Sequence, residues 1–290
     1  MYKKKKINGT FLKLLLIMTV FGICFYCSAK QTEAATGISV SLGNSGAASI
    51  SRKTVTSYKK WYQISRTVTH AAGSYKRKAY TNSKEALKTS LRRGKRLIEM
   101  DFTFTRDGVL VCGHDWKDVK KRLTLKQFKK KKTKGGYTPL TAQEALKIMA
   151  AYRNVYLIVD SKESNIAKVY RSLVRACSKI GKKSFLNRIV VQLYFKSDYT
   201  KIKKVYPFKN WSFTLYRLKP KTNRQYQDIA SFCKKKKIKV ITMRDSWVTK
   251  SRMKILRKYK IECMAHTVNS MLTYKKLRKL GVTAIFTDYL

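Results

Sequence analysis

The segment from residue 70 to residue 114 places two histidines around a pair of carboxylates, in a chain that is poor in both residue types. The 290 residues include 66 Lys and Arg, but only 15 Asp and Glu and 3 His. Glu99 and Asp101 are two residues apart in an apolar segment, so in a strand they project from the same face. Paired carboxylates repel each other, and either a divalent cation or nearby Lys and Arg side chains relieve that repulsion. The spacing alone leaves both interpretations open.

The composition indicates a folded, exported domain. A hydrophobic content of 44% with 12% aromatic residues excludes a disordered chain, and the length fits one large α/β domain. Residues 3–6 are lysines and residues 14–26 are apolar, which predicts a signal peptide or an N-terminal membrane anchor over residues 1–35. Residues 36–64 are predicted to be a linker and lead-in segment, and residues 65–290 the folded domain. We therefore expect an extracellular or envelope-associated protein.

The basic charge belongs to the folded domain. Residues 36–290 contain 60 Lys and Arg against 14 Asp and Glu, a formal charge of +46. Such a surface favours anionic partners, and we expect an anionic membrane or a cell-wall polymer. The lysine runs 129–132 and 234–237 lack the interleaved aromatic residues of a single-strand nucleic-acid platform, so nucleic acid is not an expected partner.

Cysteine spacing gives no sign of a zinc site. The predicted domain contains four cysteines without any CxxC pair, namely Cys112, Cys177, Cys233 and Cys263. We expect buried free thiols, although export leaves disulfides open as an alternative.

Short β-branched segments alternate with longer helical patterns from about residue 65 onward. Strands are predicted at 67–70, 97–102, 155–160, 189–194, 212–216, 239–243, 262–267 and 284–288. Helices are predicted at 83–93, 141–152, 165–180, 223–234, 249–259 and 270–280. This alternation predicts an α/β fold, a single-domain (β/α)8 TIM barrel, with a doubly wound open sheet as the alternative. The active site of such a barrel lies at the carboxyl ends of its strands. Six candidate site residues fall at or near those ends: His70, Glu99, Asp101, Asp160, Gln192 and His266.

An ordered set of short motifs over about residues 66–290 resembles the glycerophosphodiester phosphodiesterase family, within the phosphatidylinositol-phospholipase-C-like superfamily. The set consists of His70-Ala-Ala-Gly73, Tyr80-Thr-Asn82-Ser83, Glu99-Met-Asp101, Thr105-Arg-Asp107-Gly108, His114-Asp115, Asp160-Ser-Lys162 and His266-Thr-Val-Asn269. The chain departs from the family pattern twice. Ala71 stands where the family has an Arg that would bind phosphate, and Asp160 stands where a Glu is usual.

The resemblance implies metal-assisted phosphodiester cleavage. It implies His70 and His114 as the acid–base pair, and a Ca2+ or Mg2+ ion held by Glu99, Asp101 and Asp160. The substrate would be a glycerophosphodiester or a related phospholipid or teichoic-acid-type diester. Substrate-binding residues would be Lys162, Gln192, His266 and Asn82.

Several alternatives stay open. Asp160 could form a structural ion pair with Lys162, and Asn82 could cap the helix that begins near residue 83. Trp116 and Tyr194 could line an alcohol or lipid site or belong to the core. At the level of function, the alternatives are a metal-independent phosphatidylinositol-specific phospholipase C and a non-catalytic envelope-binding barrel.

Overall fold

The computed structural model describes residues 59–290, except residues 118, 120 and 134. The predicted signal peptide or anchor and most of the predicted linker lie outside the described residues. Within residues 59–290, no helix has the length and apolar character needed to cross a membrane.

Eight parallel strands close into a barrel because the first strand pairs with both the second and the last. A ninth, short strand forms an antiparallel hairpin with β2. The strands are β1 (Thr67–Thr69), β2 (Leu97–Phe104), β3 (Leu110–Cys112), β4 (Tyr156–Ser161), β5 (Ile189–Leu193), β6 (Asn210–Thr214), β7 (Val240–Arg244), β8 (Glu262–His266) and β9 (Ala284–Thr287).

Helices connect the strands and cover the outside of the barrel. They are α1 (Lys84–Arg92), α2 (Leu125–Lys130), α3 (Ala142–Ala150), α4 (Ile166–Lys179), α5 (Lys196–Lys203), α6 (Asn223–Lys235), α7 (Lys250–Lys258) and α8 (Met271–Leu280). Their starts follow from local chemistry. Thr141, for example, caps α3 in a reciprocal capping box with Glu144.

The predicted (β/α)8 barrel is confirmed, and all eight predicted barrel strands are present. Two details differ from the prediction. The first strand ends at Thr69, because His70 opens a short helical turn. The β2–β3 hairpin and the helices α2 and α5 were not among the predicted elements. The four cysteines of residues 59–290 are buried and free, as expected.

Side chains alternate between the inside and the outside of the barrel along each strand, and this alternation positions the site. At the amino-terminal end the interior is filled by an apolar layer, closed by Trp61 and Tyr62. That layer contains Val68, Leu97, Ile158, Val190, Val240, Met264, Ala284 and Phe286. Two residues further along several of these strands, the inward positions are polar. They hold His70, Glu99, Asp160, Gln192, Thr242 and His266. The chemistry is therefore concentrated at the carboxyl-terminal mouth.

Candidate active site

His70 is held in one orientation at the mouth. It lies in the turn that follows β1, and its Nδ1 is 2.8 Å from Oδ1 of Asp288. Its Nε2 is 3.9 Å from Oε2 of Glu99. Burial disfavours the protonated imidazole, but the hydrogen bond to Asp288 and the charge of Glu99 outweigh it and raise the pKa of His70 to about 9. The Asn269 amide donates to Oδ2 of Asp288 at 2.6 Å. A carboxylate thus orients the ring and leaves Nε2 facing the acidic cluster.

The three predicted metal ligands converge. Glu99 and Asp101 are buried on β2, and Asp160 on β4 is the register partner of Asp101. One oxygen atom from each carboxylate lies within 4.8 Å of the other two. Burial, together with the charge of Asp101, raises the pKa of Glu99 to about 8. Oε1 of Glu99 is buried and has no hydrogen-bond partner among the described residues. The cluster is therefore short of positive charge at Glu99.

Lys162 supplies positive charge to the other two carboxylates of the cluster, Asp101 and Asp160. Its Nζ is 2.8 Å from Oδ1 of Asp101 and 2.7 Å from Oδ2 of Asp160. Burial raises the pKa of Asp160, but Lys162 and the hydroxyls of Tyr194 and Tyr216, which both donate to Oδ1, bring it below its usual value. The ion pair considered as the alternative role of Asp160 is present. Lys162 thus partly neutralises Asp101 and Asp160, whereas the positive neighbour of Glu99 is the His70 imidazole, with Nε2 3.9 Å from Oε2.

The donor set fits a hard divalent cation. The carboxylates of Glu99, Asp101, Asp160 and Asp288 against the ammonium of Lys162 and the imidazolium of His70 leave a formal charge of −2, and burial with the charge of Asp101 raises the pKa of Glu99. Oxygen ligands without thiolates suit Ca2+ or Mg2+. Glu99 offers an unused oxygen, while Asp101 and Asp160 would share theirs with Lys162.

Asn82 orients the cluster and does not cap α1. Its amide nitrogen donates to Oδ2 of Asp101 at 2.7 Å, and its amide oxygen accepts from the Asp101 backbone at 3.0 Å. The α1 cap is Ser83, whose hydroxyl accepts from the backbone of Ala86. The backbone N–H of Ala71 donates to Oε2 of Glu99 at 2.8 Å. Two acidic groups are thus fixed by donors from the loops above the barrel.

His114 lies in the loop that follows the β2–β3 hairpin. Its Nδ1 is 2.6 Å from Oδ2 of Asp115, and its side chain is 38% exposed. The ring of Tyr80 contacts both histidines, with its centroid 4.9 Å from that of His70 and 5.2 Å from that of His114. The structure therefore brings the predicted acid–base pair to one mouth, where both rings contact the same tyrosine.

A cavity of about 290 Å3 opens beside His114. Its walls include apolar side chains and two lysines, namely Trp116, Val119, Leu123, Phe128, Lys131 and Lys132. Trp116 is anchored by a 3.1 Å hydrogen bond from its indole nitrogen to Thr103. Tyr194, considered as a second wall residue, is instead buried, and its hydroxyl contacts Asp160 and the Ser161 backbone. Of these two aromatic residues, therefore, Trp116 lines the cavity and Tyr194 does not.

Gln192 and His266 line a small cavity together with His70, Glu99 and Asp160. Burial and the neighbouring positive charge of His70 lower the pKa of His266 to about 4, so its imidazole is neutral near pH 7. Its Nε2 is buried without a partner among residues 59–290. Both predicted substrate-binding side chains therefore face the same small cavity as His70 and the acidic cluster.

The comparisons with known proteins agree with this architecture. Residues 70–290 match the model of the glycerophosphoryl diester phosphodiesterase family. The chain belongs to this family. It is accordingly a phosphoric diester hydrolase with a TIM-barrel fold. The search of curated proteins gave no significant match.

Solved structures with the same barrel are distant in sequence. A glycerophosphodiester phosphodiesterase from Parabacteroides distasonis has 18% identity and a TM-score of 0.60, covering 77% of this chain and 93% of that chain. The Thermotoga maritima glycerophosphodiester phosphodiesterase has 16% identity and a TM-score of 0.58, covering 77% and 94%. An Oleispira antarctica phosphodiesterase, solved with the product sn-glycerol-3-phosphate, has 15% identity and a TM-score of 0.61, covering 78% and 93%. At this identity the likeness establishes the fold.

Four residues of this family member contribute to the site without having been predicted to do so. Asp115 is hydrogen-bonded to His114, and Asp288 is hydrogen-bonded to His70. Asn269 donates to Asp288, and Tyr216 donates to Asp160. Asp288 directly follows β9, so the strand-end rule that selected Asp160 also applies to it. Asp115 follows His114 in the sequence. Asn269 ends the motif that begins at His266, whereas Tyr216 belongs to no motif and reaches Asp160 only through the fold.

Replacing Asp288 by Asn is expected to lower kcat/KM while leaving the fold intact. A hydrogen bond to a charged group contributes about 1.5–3 kcal/mol, roughly 10- to 150-fold in rate. The neutral amide cannot support the His70 imidazolium as the carboxylate does. Steady-state kinetics would measure the loss. Asp228→Asn is the matched control, because Asp228 is exposed on α6 and pairs only with Lys196. Equal kinetics for the two variants would contradict the positioning role.

Proposed function

We propose that this family member hydrolyses glycerophosphodiesters with His70 and His114 as the acid–base pair and with Ca2+ or Mg2+ held by Glu99, Asp101 and Asp160. One observation carries the proposal. Three buried carboxylates have oxygens within 4.8 Å of one another, Nε2 of His70 lies 3.9 Å from one of them, and His70 and His114 are each paired with a further carboxylate. Family membership supports the glycerophosphodiester as substrate, and the product complex of the Oleispira antarctica enzyme supports sn-glycerol 3-phosphate as a product.

The two histidines move the protons of the reaction. Each ring is bonded through Nδ1 to a carboxylate, so its Nε2 is the nitrogen left for exchange. One Nε2 accepts the proton of the attacking hydroxyl or water. The other donates a proton to the leaving alcohol oxygen as its bond to phosphorus breaks. When bound, the cation supplies Lewis-acid stabilisation of the phosphoryl oxygens.

Other residues of the mouth bind and orient the diester. Lys162 offsets phosphate charge, although its ammonium is shared between Asp101 and Asp160. Gln192 and His266 offer polar atoms from the opposite side of the barrel. The cavity beside His114 is adjacent to the proton donor or acceptor, so it is suited to one alcohol moiety of the diester. Its mixture of aromatic and lysine side chains favours an alcohol with both apolar and anionic parts.

A divalent-cation titration with glycerophosphocholine, in parallel with phosphatidylinositol vesicles, tests this function. We expect turnover of the glycerophosphodiester that a chelator abolishes and that added Ca2+ or Mg2+ restores. Cleavage of phosphatidylinositol that resists the chelator would indicate a metal-independent phospholipase C instead. Absence of turnover on both substrates at saturating cation would refute the proposal and favour a non-catalytic binding barrel. The buried acidic cluster favours the first outcome, because histidines alone would not require three converging carboxylates.

We further propose that the protein is exported and works at an anionic envelope surface. The amino-terminal lysines and apolar run support export, and the charge of +46 over residues 36–290 supports an anionic lipid or wall polymer. In the sequence, the lysine run 129–132 lies outside the site motifs, but in the structure part of this run lies at the site. Lys129 pairs with Glu144, and Lys131 and Lys132 line the cavity beside His114. The run 234–237 ends α6 and precedes β7, so it lies on the face opposite the mouth.

Changing the four lysines 234–237 to Gln is expected to weaken binding of the protein to anionic vesicles and to spare activity on glycerophosphocholine. Loss of positive charge weakens attraction to the surface, and rising salt should abolish the difference between variant and native protein. A variant with four Arg at these positions keeps the charge and serves as control. Unchanged vesicle binding, or a loss of activity on glycerophosphocholine, would contradict a surface-binding role.

A further inference from the structure

Tyr80 contacts both histidines. Its ring centroid is 4.9 Å from that of His70 and 5.2 Å from that of His114, and its side chain is 38% exposed. It also lines the cavity beside His114. A group bound at both histidines therefore has this aromatic ring as a neighbour.

The backbone holds Tyr80 in a conformation that bulky residues seldom adopt. Its φ is +63°, in the left-handed region, and Asn82 two residues later has a φ of +48°. Such strain persists where surrounding contacts fix it, and it is concentrated at functional sites. Here the fixing contacts come from Asn82. Its backbone N–H donates to Ala71 at 3.1 Å, and its amide nitrogen donates to the carboxylate of Asp101 at 2.7 Å. The turn that carries Tyr80 is thus tied to the acidic cluster itself.

Two residues beside the acidic cluster are already committed to it. Ala71 has no polar side-chain atom, is fully buried, and uses its N–H to bind Glu99. Lys162 divides its ammonium between Asp101 and Asp160. A phosphodiester carries two non-bridging oxygens that require donors or a cation. Burial and the charge of Asp101 raise the pKa of the Tyr80 phenol, so it remains a donor at neutral pH.

We propose that Tyr80 is a substrate-binding residue whose hydroxyl donates a hydrogen bond to a non-bridging phosphoryl oxygen held between His70 and His114. The inference deepens the proposed function and rests on it. It assigns a donor role to a tyrosine of the first loop. The position of Tyr80, its strained but anchored backbone and the sharing of the Lys162 ammonium between Asp101 and Asp160 all support this role.

Tyr80→Phe tests the hydroxyl alone, because the ring and its contacts with both histidines are retained. We expect kcat/KM for glycerophosphocholine to fall by roughly 10- to 150-fold, as for the loss of a hydrogen bond to a charged group. Binding of inorganic phosphate, measured by calorimetry with the cation present, should weaken by at least about 10-fold. Tyr274→Phe is the matched control, since Tyr274 is half-buried on the outer helix α8. The midpoint of thermal unfolding should not differ between the two variants.

The two readouts separate this inference from the proposed function. If native protein binds phosphate but hydrolyses no glycerophosphodiester, the proposed function fails, and weaker phosphate binding by Tyr80→Phe would still support the donor role. If native protein is active and Tyr80→Phe binds phosphate as tightly as Tyr274→Phe does, the inference is overturned. A fall in kcat/KM with unchanged phosphate affinity would also overturn it, because the hydroxyl would then act on something other than the phosphoryl group.

Discussion

Replacement of His70 or His114 by Ala is expected to lower kcat/KM on a glycerophosphodiester by about 100-fold or more. A correctly positioned general acid or base accelerates a reaction by about 10²–10⁴-fold. Among the described residues of the mouth, no other side chain is placed to take over the role of either imidazole. Asp288 and Asp115 each lose their partner in these variants, but neither carboxylate lies where the missing Nε2 lay. The two single losses should be of similar size, because the reaction needs both proton transfers.

His266→Ala is the control for this prediction. Its ring lies in the same small cavity as His70 and is neutral, with a pKa lowered to about 4 by burial and by His70, so it serves poorly as a base near pH 7. We expect a much smaller loss than for the other two histidines. His114 is 38% exposed, so its removal should leave the unfolding midpoint nearly unchanged. Near-native activity of either the His70 or the His114 variant would refute the acid–base assignment.

The barrel could be predicted because its signals are local. Each strand is a short β-branched segment followed by a helix with its own start signal, as at the Thr141–Glu144 capping box. Closure and strand-end convergence then follow from the regular (β/α)8 repeat. The spacing of Glu99 and Asp101 placed both side chains on the inner face of β2, and the register with β4 brings Asp101 beside Asp160. Alternation thus predicts the shared face of Glu99 and Asp101, whereas the approach of Asp160 follows from the barrel architecture and the strand register.

The partners of the site residues could not be predicted in the same way. The ion pair of Lys162 with Asp160 was one of the two alternatives for Asp160, but its second contact, with Asp101 on the neighbouring strand, results from side-chain reach and strand register. The link between His70 and Asp288 joins residues 218 positions apart and requires the barrel to close. Tyr80 reaches the histidines only because its backbone is left-handed, and a tyrosine in a sequence gives no sign of a positive φ.

Glu99→Gln and Asp101→Asn are expected to weaken divalent-cation binding by more than about 100-fold and to depress activity in parallel. Partners that merely orient a metal ligand contribute 10- to 100-fold to affinity, so loss of a ligand charge should exceed that range. Both changes preserve side-chain shape. Glu99→Gln is the sharper test, because Glu99 is the member of the cluster that Lys162 does not contact and its Oε1 has no partner among the described residues. Calorimetry with Ca2+ and with Mg2+, beside kcat/KM at several cation concentrations, would measure both effects.

Lys162 is the physical alternative to a cation, and the same variants distinguish the two. If its ammonium alone balances the cluster, native protein binds no Ca2+ or Mg2+, a chelator leaves activity unchanged, and Glu99→Gln relieves an uncompensated charge and stabilises the fold. If a cation completes the balance, native protein binds it with measurable affinity, added cation raises the unfolding midpoint of native protein, and Glu99→Gln loses that rise. Asp228→Asn removes an exposed carboxylate on α6 and should behave as native protein does in every one of these measurements. The net charge of −2 left by Glu99, Asp101, Asp160 and Asp288 against Lys162 and His70 favours the second outcome, because a bound cation relieves a buried excess of negative charge.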